Sequence, residues 1–110
     1  MCQYQTLYHN DSVGYVIRCT GCDRLQMGYG SVMITFGTED FRRFCRKIMD
    51  LKEKHVPQQK PDLKSMIIPT PCEGMRFFLS ERELYELHEM LETADLELKT
   101  GQLLHLFQNN

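Results

Sequence analysis

The sequence predicts an α+β domain of two layers, in which a mainly antiparallel sheet is covered on one face by helices. Two observations carry that expectation. The first third of the chain reads as short apolar strands divided by turn residues, whereas two later segments carry the i, i+3, i+4, i+7 apolar stripe of a helix laid on a sheet. In addition, a strand-then-helix pattern occurs twice, over about 32–51 and again over about 75–94.

Four strands are expected first: Tyr4 to Tyr8, Gly14 to Arg18, Leu25 to Tyr29 and Val32 to Phe36. Their separators, His9-Asn10-Asp11-Ser12, Thr20-Gly21 and Gly30-Ser31, suit tight turns through short polar side chains or a missing Cβ. Gly28 and Gly30 bracket Tyr29 and mark a bulge or a tight hairpin better than a phosphate cradle. A helix follows to about Lys54, with Thr38 as expected N-cap, Glu39 and Asp40 opposing the positive end of the dipole, and His55 closing its C-terminal end. Its stripe is Phe41, Phe44, Cys45, Ile48 and Leu51.

Val56 to Leu63 holds two prolines and several polar residues and reads as a connector. The pattern then restarts with a strand at Ser65 to Pro69, a turn at Thr70 to Gly74, a strand at Met75 to Leu79 and a second helix. Ser80 and Glu83 have the spacing of a capping box, and the stripe is Leu84, Leu87, His88 and Leu91. The tail from Leu96 to Phe107 reads as a short third helix that Gly101 interrupts. At one constant offset, Ile34 falls on Phe77, Phe36 on Leu79, Phe41 on Leu84, Phe44 on Leu87 and Ile48 on Leu91. A true repeat of this kind would join all strands in one sheet with both helices on the same face.

At 110 residues the chain suits one domain over residues 1–110, with pseudo-repeat halves 1–56 and 57–110. Such a length buries about two-thirds of the unfolded surface without a disulfide or metal staple. Hydrophobic residues at 42% and charged residues at 25% describe an ordinary globular composition. A net charge of −2 lacks the basic excess of a general polyanion binder. No apolar run is long enough to span a bilayer, and Met1-Cys2-Gln3-Tyr4-Gln5 is neither basic nor apolar, which points to a cytoplasmic protein without a membrane partner.

Charge divides between the halves: residues 1–56 hold 8 Lys or Arg against 6 Asp or Glu, and residues 57–110 hold 5 against 9. Arg42, Arg43, Arg46, Lys47 and Lys54 line the first helix, while Glu83, Glu86, Glu89 and Glu92 line the second. Complementary solvated faces are the simplest reading. The alternative is nucleic-acid binding through the basic face of helix 38–54, helped by Arg18 and Arg24.

Cys19-Thr20-Gly21-Cys22 is the sole Cys-x-x-C, and one such pair supplies half a zinc tetrahedron. Cys72, in the turn of the second half, is the expected third ligand; His9 and Cys2 are candidates for the fourth. An unmetallated knuckle and a thiol redox site are the competing readings, the latter disfavoured because a strand, not a helix start, follows the pair. Cys45 and His88 hold equivalent places on the two stripes, where core packing outweighs a nucleophile-and-base pairing. Walker, dinucleotide, G-x-S-x-G and H-E-x-x-H fingerprints are absent.

The run Cys19 to Cys22, then Leu25 to Val32, followed by strand and helix, resembles a family of small uncharacterised proteins from Bacteroidetes. The resemblance covers residues 15 to 50 and implies a cytosolic bacterial origin, with no function attached. The residues themselves favour a non-enzymatic module that binds a protein partner or a second copy of itself, supported by an exposed edge in the strand-rich half and a candidate zinc knuckle at Cys19, Cys22 and Cys72.

Overall fold

Turn chemistry lays out the first sheet. The computed structural model describes residues 3–108, with the side chains of residues 103 and 105–108 outside the description. Strands β1 (Tyr4–Asn10), β2 (Gly14–Cys19), β3 (Arg24–Tyr29) and β4 (Val32–Gly37) form an antiparallel meander in the order β1-β2-β3-β4. At the first turn the Asn10 side-chain oxygen accepts the Ser12 N–H at 2.8 Å and the Val13 N–H at 3.1 Å, the local bond that makes Asn a turn former. At the third, Gly30 has φ of 59° and only two residues separate the paired Tyr29 and Val32. A glycine at the first central position gives the turn whose twist matches the flanking strands.

Gly28 is an ordinary strand residue rather than a bulge. It pairs with Tyr15, whose ring covers it so closely that a Cβ on Gly28 would lie 2.2 Å from a ring carbon. The register irregularity of this sheet falls instead in β1, between Thr6 and Tyr8. Alternate residues of each strand face the helices: Leu7, Val16, Leu25 with Met27 and Tyr29, and Ile34 with Phe36 are buried.

Helix α1 (Thr38–Lys54) follows β4 without a loop. Its N-cap is Gly37, one residue earlier than expected. Thr38 is already helical, and its hydroxyl donates to the Asp23 carbonyl at 3.3 Å, tying the helix start to the β2–β3 turn instead of capping it. Phe41, Phe44 and Ile48 are fully buried, with Cys45 and Leu51 at the margin of the core. The connector after α1 is irregular, as expected, and leads to β5 (Met66–Pro69) and β6 (Arg76–Leu79), which pair with each other in a sheet of their own.

All strands therefore do not join in one sheet. Aromatic packing accounts for the separation: Phe44 of α1 lies 5.7 Å from Phe36 of β4 on one side and 6.3 Å from Phe77 of β6 on the other, while Phe77 meets Tyr29 edge-on at 5.9 Å. The β5–β6 hairpin is held to the core through these rings, without a hydrogen-bonded seam to β4. The repeated pattern nonetheless has the same meaning in both halves, since all ten residues of the five matched pairs are buried.

Helix α2 (Glu81–Gln108) begins with the expected capping box, in which Glu83 N–H donates to Ser80 Oγ at 3.2 Å and Ser80 N–H to Glu83 Oε1 at 3.0 Å. It then continues unbroken through Gly101, so the tail is not a third helix. Ala94 and Leu98 are buried on the face that packs against β1 and β2, and this tertiary contact overrides the weak helix propensity of one glycine. α1 packs under β3 and β4, beside α2. Fold class is thus α+β, with a four-strand antiparallel sheet, a two-strand sheet and two helices.

Candidate functional site

Cys45 and His88, on the facing stripes of α1 and α2, line one groove of about 530 Å³ between the two helices. Their chemistry there is quiet. The Cys45 thiol donates to the Leu91 carbonyl at 3.9 Å, and burial, followed by the Asp95 carboxylate, pushes its pKa up to about 12. Burial and the Lys52 ammonium lower the His88 pKa, against the pull of Glu92, whose carboxylate lies 3.2 Å away. At neutral pH the groove thus holds a thiol and a neutral imidazole, and a thiol is not the nucleophilic form of cysteine. Asp95 pairs with Lys99 at 2.8 Å and keeps its other oxygen buried without a hydrogen-bond partner.

The Cys-x-x-C does not present its two sulfurs alike. Cys19 ends β2 opposite Tyr4 and is buried, whereas Cys22 is exposed in the β2–β3 turn. The cause is the turn itself: Asp23 adopts φ of 55°, and its carboxylate faces Arg18 at 3.9 Å. Cys72 is half-buried in the β5–β6 turn, where its N–H donates to Thr70 Oγ1 at 3.2 Å and the Thr70 hydroxyl reaches the Met75 carbonyl at 2.8 Å. Among the described residues no three His, Cys, Asp or Glu side chains gather as a metal-holding group. His9 sits by Asp11 at the exposed first turn, and Cys2 lies outside the described residues.

Cations on α1 are largely answered within the chain. Arg42 donates to Gln102 at 2.7 Å, Arg43 faces Asp40 at 3.5 Å, and Lys54 pairs with Asp50 at 3.0 Å. Arg46 turns into the α1–α2 groove. Lys47 lines a second pocket together with Asp40 and Arg43.

One buried polar contact was invisible to residue spacing. His55 does more than close α1: its Nε2 lies 2.8 Å from Glu81 Oε2, and the same oxygen accepts the Gln58 N–H at 2.8 Å. The two bonds hold the Glu81 carboxyl below its ordinary range, against the effect of burial. This latch joins the end of α1, the connector and the start of α2.

Edges differ in how they are finished. Natural sheets blunt their free edges with bulges, charges, prolines or very short strands. β1 has its register break, β5 has four residues ending in Pro69, and β6 has four beginning with Arg76. β4 has none of these: it pairs with β3 over six regular positions and carries no charge, proline or bulge. With Tyr29 and Val32 closing the hairpin, alternation directs the Val32, Ile34 and Phe36 amides to β3 and those of Met33 and Thr35 outward. Among the described residues no loop or turn backbone bonds to Met33 or Thr35, and both side chains are exposed, Met33 at 65%. Alternation in the sequence foretold which side chains leave the core; it could not tell which strand would be the edge.

The model of a protein family described only as a family of unknown function, DUF6686, matches residues 1–108. The chain belongs to the DUF6686 family. No curated protein and no solved structure matches it. For this DUF6686 member the groove, the cysteines and the edge are therefore judged on their own chemistry. No described helix is long and apolar enough to cross a membrane. The groove's cysteine is held as the thiol, no metal-holding cluster is found among the described residues, and β4 offers the one unfinished set of strong backbone hydrogen-bonding groups among the regular sheet edges described above.

Proposed function

We propose that the chain is a non-enzymatic protein-binding module that adds a strand at β4. The observation that supports this reading is the unguarded edge: outward N–H and C=O groups at Met33 and Thr35 on a regular, uncharged strand, in a molecule whose other edges are blunted. Strand addition draws affinity from main-chain hydrogen bonds and selectivity from alternate side chains, here Met33 and Thr35 on the open face and Ile34 and Phe36 on the core face. Cys45 and His88, in the groove between α1 and α2, fit a packing role.

A labelled peptide of residues 31–37 titrated into the full chain tests the reading. Saturable binding that a Met33→Lys, Thr35→Lys double substitution removes is the expected result, because edge lysines block strand pairing. A peptide that stays free at all concentrations of a monomeric chain contradicts it.

A further inference from the structure

We infer that the strand added at β4 is β4 of a second copy, so that two sheets join in an antiparallel seam about a two-fold axis at Ile34. The inference rests on the strand-addition reading and names its partner. Three features of β4 make it complementary to itself. It carries no charge, so like charges do not meet when the strand is laid antiparallel on its own copy. Its register is regular over six pairs with β3, with no bulge to turn the edge away. Its parity also closes. A register centred on Ile34 sets Met33 opposite Thr35 of the second copy, and those are the residues whose N–H and C=O point outward.

Each Met33–Thr35 pair then exchanges two backbone hydrogen bonds, and the axis produces the pair twice. Ile34 meets Ile34 at the intervening non-bonded position, on the core face of both sheets. Every side chain keeps its face, because a two-fold axis perpendicular to the sheet carries the buried side of one copy to the buried side of the other. A one-residue slip would set buried Ile34 opposite exposed Thr35 and is disfavoured on both faces. The result is one eight-stranded sheet with β1, already blunted by its irregularity, at both outer ends.

Sedimentation equilibrium over a range of concentrations, on the wild-type chain and two variants, tests the seam. Wild type is expected to pass from monomer to dimer with rising concentration. Met33→Lys, Thr35→Lys, which changes two exposed side chains, is expected to raise the dimer dissociation constant at least about tenfold. Ile67→Ser, Phe78→Ser, which removes an exposed apolar pair on the other sheet, is expected to leave it unchanged. A Met33→Cys, Thr35→Cys variant should form a cross-link between residue 33 of one copy and residue 35 of the other under oxidation, a pairing that mass spectrometry reads directly and that only this register brings together. A dimer that ignores the lysines, or one abolished by the serines instead, overturns the seam. A wild-type chain that stays monomeric while binding the 31–37 peptide also overturns it, leaving β4 to a strand of a different protein. A wild-type chain that stays monomeric and also leaves the peptide free is a separate result, and it removes the underlying reading.

Discussion

Cys45 shows how environment decides what a residue type means. Its place on the α1 stripe, across from His88, is the arrangement a nucleophile and base would need, yet burial and the Asp95 carboxylate hold it as a thiol with a pKa pushed up to about 12. Alkylation at neutral pH should therefore be much slower at Cys45 than at exposed Cys22; mass spectrometry of partially labelled protein measures both, and faster modification of Cys45 would contradict the assignment. The ionisable residues also give the fold an acid dependence with a definite sign. His88 has a lowered pKa, so the unfolded chain binds its proton first and stability falls as pH drops below about 6.5. Glu81 is lowered by the His55 and Gln58 bonds. Glu83 is raised by burial but lowered overall by Lys64 and Ser80. Their contribution is fully present above about pH 4.3 and is lost as pH falls through their depressed values. Urea midpoints between pH 8 and 3 should decline in two stages, with His88→Gln removing the upper stage and Glu81→Gln shrinking the lower. A midpoint that rises between pH 7 and 5 would contradict this.

At the scale of elements, what is local was readable and what is pairwise was not. The four strands, α1 and the Ser80–Glu83 box follow from alternation, turn residues and capping chemistry, all of which act within a few positions. The separation of β5 and β6 into their own sheet depends on Phe44 meeting Phe36 and Phe77 across the core, a contact no spacing reveals. The His55–Glu81 latch is equally non-local, and the unequal exposure of Cys19 and Cys22 depends on the φ of Asp23. Gly101 was misleading for a physical reason: propensity disfavours it, while buried Ala94 and Leu98 anchor the preceding turns of the helix in the core. Two substitutions separate these influences on α2. Ser80→Ala, which removes the cap, should lower stability by about 1 kcal/mol. Gly101→Ala should raise it by about 0.5–1 kcal/mol, because a Cβ there meets nothing nearer than Gln5 Nε2 at 4.0 Å. Chemical denaturation checks both, and a destabilising Gly101→Ala would show that the helix is strained at that point.

For the whole molecule, the central feature is a sheet finished at one side and open at the other. Among the described residues the core lies between β1 to β4 on one layer and α1, α2 and the β5–β6 hairpin on the other. In the proposed association, the open β4 edge joins two such units. The residues that shape that edge, Met33 and Thr35, are the ones whose amides point away from β3. Hydrogen exchange at these two amides in the wild-type chain, followed as protein concentration rises, tests the account most directly. It predicts that Met33 and Thr35 exchange rapidly in dilute solution and become protected together as concentration rises, while the Val32 and Ile34 amides are protected throughout. Met33 and Thr35 amides that exchange at the same rapid rate at every concentration would contradict self-association through β4.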